Sequence, residues 1–299
     1  MSFYFNRASF KDQLSLLEQV EEWLSKVGLQ IENTRFSEIL DLNRLIIKHT
    51  EQGTLDFLIN KYGSIKLWYA ITEASLFIEI YEAFKKEKSH IHRRAKLKQM
   101  IGGPFYPWDE NPKKNNIENR NTLFELETAA KFKLAGAKIK GFDDVDFIFK
   151  NTRFNVQCKK LHSLKNTKYN IDQAVQQFTK KMKKKKGLKG IIALSLDKVT
   201  EKETSILKVR SPNDIRPTLS KISNDFLNQH RKKWKDLLNI NILGVILFVH
   251  IVAIIEEEPH DLLTTCRDIA FDIIPQKNFF QHNDYYLLKD LGLRMQNSD

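Results

Sequence analysis

The chain has 299 residues, 41% of them hydrophobic, enough to bury a sizeable core and to divide in two. Its 49 Lys and Arg against 37 Asp and Glu leave a net charge of +12, which favours a polyanionic partner. Two cysteines, Cys158 and Cys266, exclude a disulfide framework and a zinc quartet, and they suit a reducing cytoplasm.

Residues 1–7 hold no long apolar run, so no secretory signal is expected. No proline precedes Pro104, and helical periodicity runs through most of the first hundred residues. Leu14, Leu17, Val20, Leu24 and Val27 form one stripe; Phe36, Ile39, Leu40, Leu45 and Ile46 form a second. A third runs from Leu67 through Ala70, Ala74 and Phe77 to Tyr81, and Lys85 to Lys98 continue it as a basic amphipathic segment. These stripes predict an all-helical domain over residues 1–100. Gly102-Gly103-Pro104, Pro107 and Pro112 then mark residues 101–117 as a linker, leaving 118–299 as a second unit.

In that second unit, Asn121 to Gly136 reads as a helix with glycine as its C-cap. Val145 to Phe149 and the segment around Val156 to Lys160 read as strands, with a turn at Asn151-Thr152-Arg153. A helix from Tyr169 to about Lys186, a strand from Gly190 to Leu196 and a helix near Ser223 to Leu238 follow. The apolar run Ile242 to Ile255 is shorter than the roughly 20 residues of a membrane helix. Its Val and Ile content predicts a strand buried on both faces, and the chain is expected to be soluble with no membrane partner. A short strand over Ile269 to Ile274 and a helix from Asp284 close the chain.

The chemistry concentrates on the hairpin. Side chains alternate along a strand, so Gln157 and Lys159 share a face, roughly 7 Å apart. Asp144 and Asp146 share a face of the preceding strand in the same way, with Val145, Phe147 and Phe149 opposite. Pairing the strands brings carboxylate, amide and ammonium together beside an apolar layer, where charge is costly unless paired or metal-bound. Cys158 is expected to pack as a small hydrophobe on the reverse face.

This pattern, Asp-Val-Asp-Phe followed by Gln157-Cys158-Lys159 and preceded by a Phe124-Glu125 helix ending in Gly136, resembles the PD-(D/E)XK nuclease superfamily. The resemblance spans about residues 118–255. It implies an α+β or α/β architecture, with the helical N-terminal domain followed by a restriction-endonuclease-like αβββαβ core whose mixed sheet is flanked by helices. It also implies a cytoplasmic, Mg²⁺-dependent endonuclease, with Mn²⁺ as a substitute, that hydrolyses DNA in a setting such as restriction or antiphage defence. Asp146 would hold the metal with the Gln157 oxygen, Asp144 standing in reserve, and Lys159 would orient the attacking hydroxide. Glu125 fits the family's helix Glu by spacing, while Glu127 competes from the apolar stripe. The family acts mostly on DNA, so double-stranded DNA is the expected substrate while the residues themselves do not exclude RNA; its members are often dimers, so a homo-oligomer is an open expectation.

Gln157 stands where the family more commonly has Glu, which removes one negative charge. A catalytically inactive nucleic-acid-binding module on the same fold is therefore the alternative. Lys160, His162 and Gln173, with Lys183, Lys184, Lys185 and Lys186 in the basic run that opens at Lys180, are candidate nucleic-acid contacts. The same lysines could equally be a solvated helix end favoured by the dipole. There is no Gly-rich phosphate loop, no Cys/His cluster and no Gly-x-Ser-x-Gly elbow.

Overall fold

The apolar run Ile242–Ile255 forms a single 14-residue strand, buried along its whole length, and the rest of the chain is arranged around it. The computed structural model describes residues 2–5, 10–87, 91–106, 109–110, 118–142, 144–200, 206–232, 234, 241–256, 262–274 and 283–297. The strands are β1 (Ser2–Phe5), β2 (Lys138–Gly141), β3 (Val145–Phe149), β4 (Thr152–Lys160), β5 (Lys189–Ser195), β6 (Leu207–Val209), β7 (Ile242–Ile255) and β8 (Leu262–Ile273). The helices before β2 are α1 (Phe10–Lys26), α2 (Arg35–Glu51), α3 (Leu55–Tyr62), α4 (Ser64–Phe84), α5 (Ile91–Ile101) and α6 (Glu118–Leu134). The later ones are α7 (Thr167–Lys184), α8 (Asp197–Thr200), α9 (Arg216–His230) and α10 (Asn283–Asn297).

The chain is an α+β protein built on one open mixed sheet, in the order β1-β8-β7-β5-β4-β3-β2, with β6 pairing β7 as well. Strands β2, β3 and β4 form an antiparallel meander; β4, β5 and β7 run parallel, as the crossovers through α7 and α9 require. Strand β8 returns antiparallel along β7, and β1 covers the outer edge of β8. No described helix is long and apolar enough to cross a membrane.

Strand β7 is apolar apart from His250 because both of its faces are covered. Ile246, Phe248, Val252 and Ile254 face the core shared with the N-terminal helices and α6. Val245, Leu247, Val249 and Ile251 face a second core under α7 and α9. Helix α4 is buried on nearly every side, including Trp68, Tyr69, Leu76 and Ile80 outside the expected stripe. A helix apolar all round is a central one; α4 lies between α1, α2 and α6 and touches β7 and β8.

The break expected at residue 100 is therefore not a break in packing. One apolar cluster runs from Leu17 to Met295, and the first residues of the chain contribute a strand to the sheet. Residues 101–117 act as more than a linker where they are described, since Phe105 is buried in that cluster and Glu110 pairs with Arg120 at 2.7 Å. Residues 111–117 lie outside the described residues. Strand β8 is longer than the expected 269–274, and α9 starts earlier than 223 and runs to His230, residues 233 and 235–238 of the expected helix lying outside the described residues.

Candidate functional site

Two residues with positive φ, Lys150 (44°) and Asn151 (66°), form the tight turn between β3 and β4. That geometry matches the twist of the flanking strands and moves the turn one residue ahead of its expected place. The register pairs Val145 with Val156, Asp146 with Asn155 and Phe147 with Phe154. Phe147 stacks on Phe132 of α6 at 4.3 Å and on Phe154 at 5.0 Å, which fixes the hairpin against α6. Helix α6 ends at Gly136 (φ 90°), where the amides of Gly136 and Ala137 donate to Lys133 and Phe132 in a Schellman motif.

The opposite face of the hairpin, toward α7, carries a continuous polar chain. Asp146 Oδ1 accepts from Asn155 Nδ2 at 2.7 Å, and Asn155 Oδ1 accepts from Gln157 Nε2 at 2.5 Å. Gln157 Nε2 also donates to Asp144 Oδ2 at 2.9 Å. Asn155 and Gln157 are both fully buried. The remaining Gln157 atom, Oε1, is buried without a hydrogen-bond partner. Asp144 therefore sits directly beside Gln157, and Asp146 reaches it only through Asn155. The Asp146–Gln157 contact expected from spacing is replaced by this relay, because the register places Asn155 opposite Asp146.

Helix α7 closes the face. Lys181 pairs with Asp144 and Lys185, just past its end, pairs with Asp146, both at 2.8 Å. Lys159 Nζ donates to Gln177 Oε1 at 2.7 Å. Burial lowers the Lys159 pKa, opposed by the charges of Asp144 and Glu125. Glu125 is paired with Lys96 at 3.0 Å, and it lies near enough to Lys159 to act on that ammonium. A groove beside Asp146 is lined by Lys140, Arg153 and Lys185.

Glu127 has a different destination. It is buried, within 3.3 Å of His250 Nε2 and 3.5 Å of Arg267 Nη1, away from the hairpin carboxylates. His250 Nδ1 lies 3.0 Å from Asp197 Oδ1, whose other oxygen accepts from Ser195. Burial disfavours the imidazolium, but Asp197 and Glu127 outweigh it and raise the His250 pKa to about 9. Burial likewise opposes the Asp197 carboxylate, and His250 overcomes it and lowers the pKa. A second buried network joins the helical layer to α6: Glu73 pairs with Arg35 at 3.1 Å and with Arg120 at 2.9 Å, and Glu110 bridges Arg120 and Lys198.

Lys160 points to the α6 side, where burial lowers its pKa and Asp197 opposes the shift. His162 lies 3.1 Å from Lys198, and burial together with that lysine lowers its pKa. Neither stands on the α7 face with Lys159. Gln173 is half-buried one turn before Gln177, and Lys183, Lys184, Lys185 and Lys186 are exposed around the end of α7. Cys158 packs half-buried against the core, its thiol pKa pushed well up by burial, as the reverse-face expectation required.

Asn155 and Gln177 complete the site, and Asn155 was not singled out as a site residue from sequence. A polar residue two positions before Gln157 on a strand, where Asn is disfavoured, was the available signal. Among the described residues no three His, Cys, Asp or Glu side chains converge as a metal cluster. The donors on the hairpin face are two carboxylates and one unpartnered amide oxygen. That is a hard-oxygen set fitting Mg²⁺ with several retained waters, and it does not fit zinc. No family model matches the chain, and no curated protein or solved structure matches it either.

Proposed function

We propose that the chain is a metal-dependent endonuclease hydrolysing DNA phosphodiesters, with α6-β2-β3-β4-α7-β5 as a PD-(D/E)XK-type core. The observation that carries this reading is the Gln157 amide oxygen, buried without a hydrogen-bond partner on the strand face that also carries Lys159, while its NH₂ group bonds Asp144. A buried amide oxygen left unpaired costs about 1–3 kcal/mol, and a cation ligated there removes that cost. Asp144, Asp146 and Gln157 would hold Mg²⁺, with Glu125 at the margin. When bound, the ion acidifies a water and offsets charge on the phosphate.

The chain's own groups do the rest. Lys159, held by Gln177 and partly desolvated, stabilises the negative charge that builds on a phosphoryl oxygen as water adds to phosphorus and the ester oxygen departs. Lys140 and Arg153 in the adjoining groove, with the exposed lysines ending α7, bind the backbone without reading sequence.

A second reading has its own support: Lys181 and Lys185 already neutralise both carboxylates, and Gln157 adds no charge, so the site is balanced without metal. A nucleic-acid-binding module would be built this way. Supercoiled plasmid with Mg²⁺ or Mn²⁺ separates the two. Nicking by the wild type that is lost in EDTA and in Asp144→Ala, Asp146→Ala and Lys159→Ala establishes the nuclease. Salt-sensitive binding with no cleavage by any of these proteins establishes the module.

A further inference from the structure

The polarity of the hairpin hydrogen bonds is fixed from both ends. An ionised carboxylate only accepts, so Asn155 must present Nδ2 to Asp146 and thereby turns Oδ1 toward Gln157. Gln157 must answer with Nε2, and Asp144, also only an acceptor, demands the same from the other side. The opposite amide orientation would set the Gln157 oxygen against two other oxygens, at a position with no solvent exposure. Lys159 donates to Gln177, and Gln157 Oε1 has no hydrogen-bond partner.

We infer that Asn155 is a positioning residue, relaying the polarity of Asp146 to the Gln157 amide so that Oε1 is presented to the metal. This rests on the metal-dependent reading above and adds a residue outside the Asp, Gln-x-Lys and helix-Glu pattern. Its logic is specific to glutamine: a carboxylate at 157 has two equivalent oxygens and needs no orienting.

That difference supplies the test, made on the full chain. Asn155→Leu keeps similar bulk and removes both bonds. Mn²⁺ binding, read from the electron paramagnetic resonance signal of free Mn²⁺, should weaken by about 10–100-fold. Gln157→Glu added to the Asn155→Leu background should recover most of that loss. In the metal-free protein the Gln157 side-chain NH₂ resonance should move and exchange faster on Asn155→Leu, with the thermal midpoint recorded as a folding control. Recovery together with the changed amide signal supports the inference. Unchanged Mn²⁺ binding, no recovery in the double variant, or an unchanged Gln157 amide signal beside a working metal site overturns it alone. A wild-type protein that takes up no Mn²⁺ overturns the metal-dependent reading, and this inference with it.

Discussion

Lys181 and Lys185 occupy the two carboxylates that a metal would need, so removing them should move metal affinity and DNA affinity in opposite directions. Each ammonium lies 2.8 Å from its partner, with side chains between one-fifth and one-half exposed. Ion pairs in that setting are each worth up to about 1 kcal/mol. A divalent ion must displace or coexist with both, so Lys181→Gln/Lys185→Gln should tighten Mn²⁺ binding by about 1–2 kcal/mol, or roughly 5–30-fold, at low salt. The advantage should shrink as salt screens the pairs. The same variant should bind DNA more weakly, and its log–log salt dependence should be shallower by about 2, one counterion per lost phosphate contact. Mn²⁺ titration and DNA binding in Ca²⁺ over a salt series read the two effects separately. Weaker or unchanged Mn²⁺ binding in the double variant would refute the competition, and an unchanged salt slope would remove these lysines from the DNA path.

Lys159→Ala should reduce cleavage by about 10²–10³-fold, as loss of a transition-state donor does, and leave DNA binding in Ca²⁺ within a few-fold; equal loss of binding would make Lys159 an anchor instead. Glu73→Leu takes the carboxylate partner from buried Arg35 and one of two from Arg120, and should cost about 3–5 kcal/mol. Urea unfolding should still show one transition, because helices and sheet share a core; a separate early transition of the helices would contradict that. His250 is charged in the folded state up to a pKa of about 9 against an ordinary 6.5. Its stabilisation is therefore complete below pH 6.5 and lost as pH rises through 9, by at most about 3 kcal/mol. Unfolding free energies from pH 6 to 10 should show this decline in the wild type and not in His250→Asn.

The hairpin was legible in sequence because both signals a strand offers were present: apolar alternation on one face and chemistry-bearing residues on the other. Its turn was misplaced by one residue because Lys150 adopts positive φ without being Gly, Asn or Asp. Burial of Glu127 followed from the α6 stripe, but its partners could not, since His250 and Arg267 arrive from β7 and β8, more than 120 residues away. Strand β8 was shortened in the reading because Thr265, Arg267 and Asp268 interrupt its apolar pattern. They are buried, Asp268 accepting from Ser223 at 2.5 Å and Arg267 pairing with Glu79. For Arg267 and Asp268 the compensation is tertiary and leaves no local trace. The shared core could have been anticipated: Trp68, Tyr69, Leu76 and Ile80 widen the α4 stripe into a full circumference, which a self-contained amphipathic bundle does not need.

The same relay gives a reason for glutamine at position 157. A carboxylate there would lie beside Asp144 Oδ2 and Asn155 Oδ1 with no proton to offer either one. Asn155 could turn its amide to satisfy it only by presenting oxygen to Asp146. Glutamine resolves both contacts with a single NH₂ group and leaves its buried oxygen without a hydrogen-bond partner. Lysines from α7 then balance the two aspartates, so the face is neutral enough to fold without an ion. The choice of glutamine at 157 is thus coupled to Asn155, Lys181 and Lys185: glutamine, asparagine and the two ion pairs form one set of mutually dependent choices.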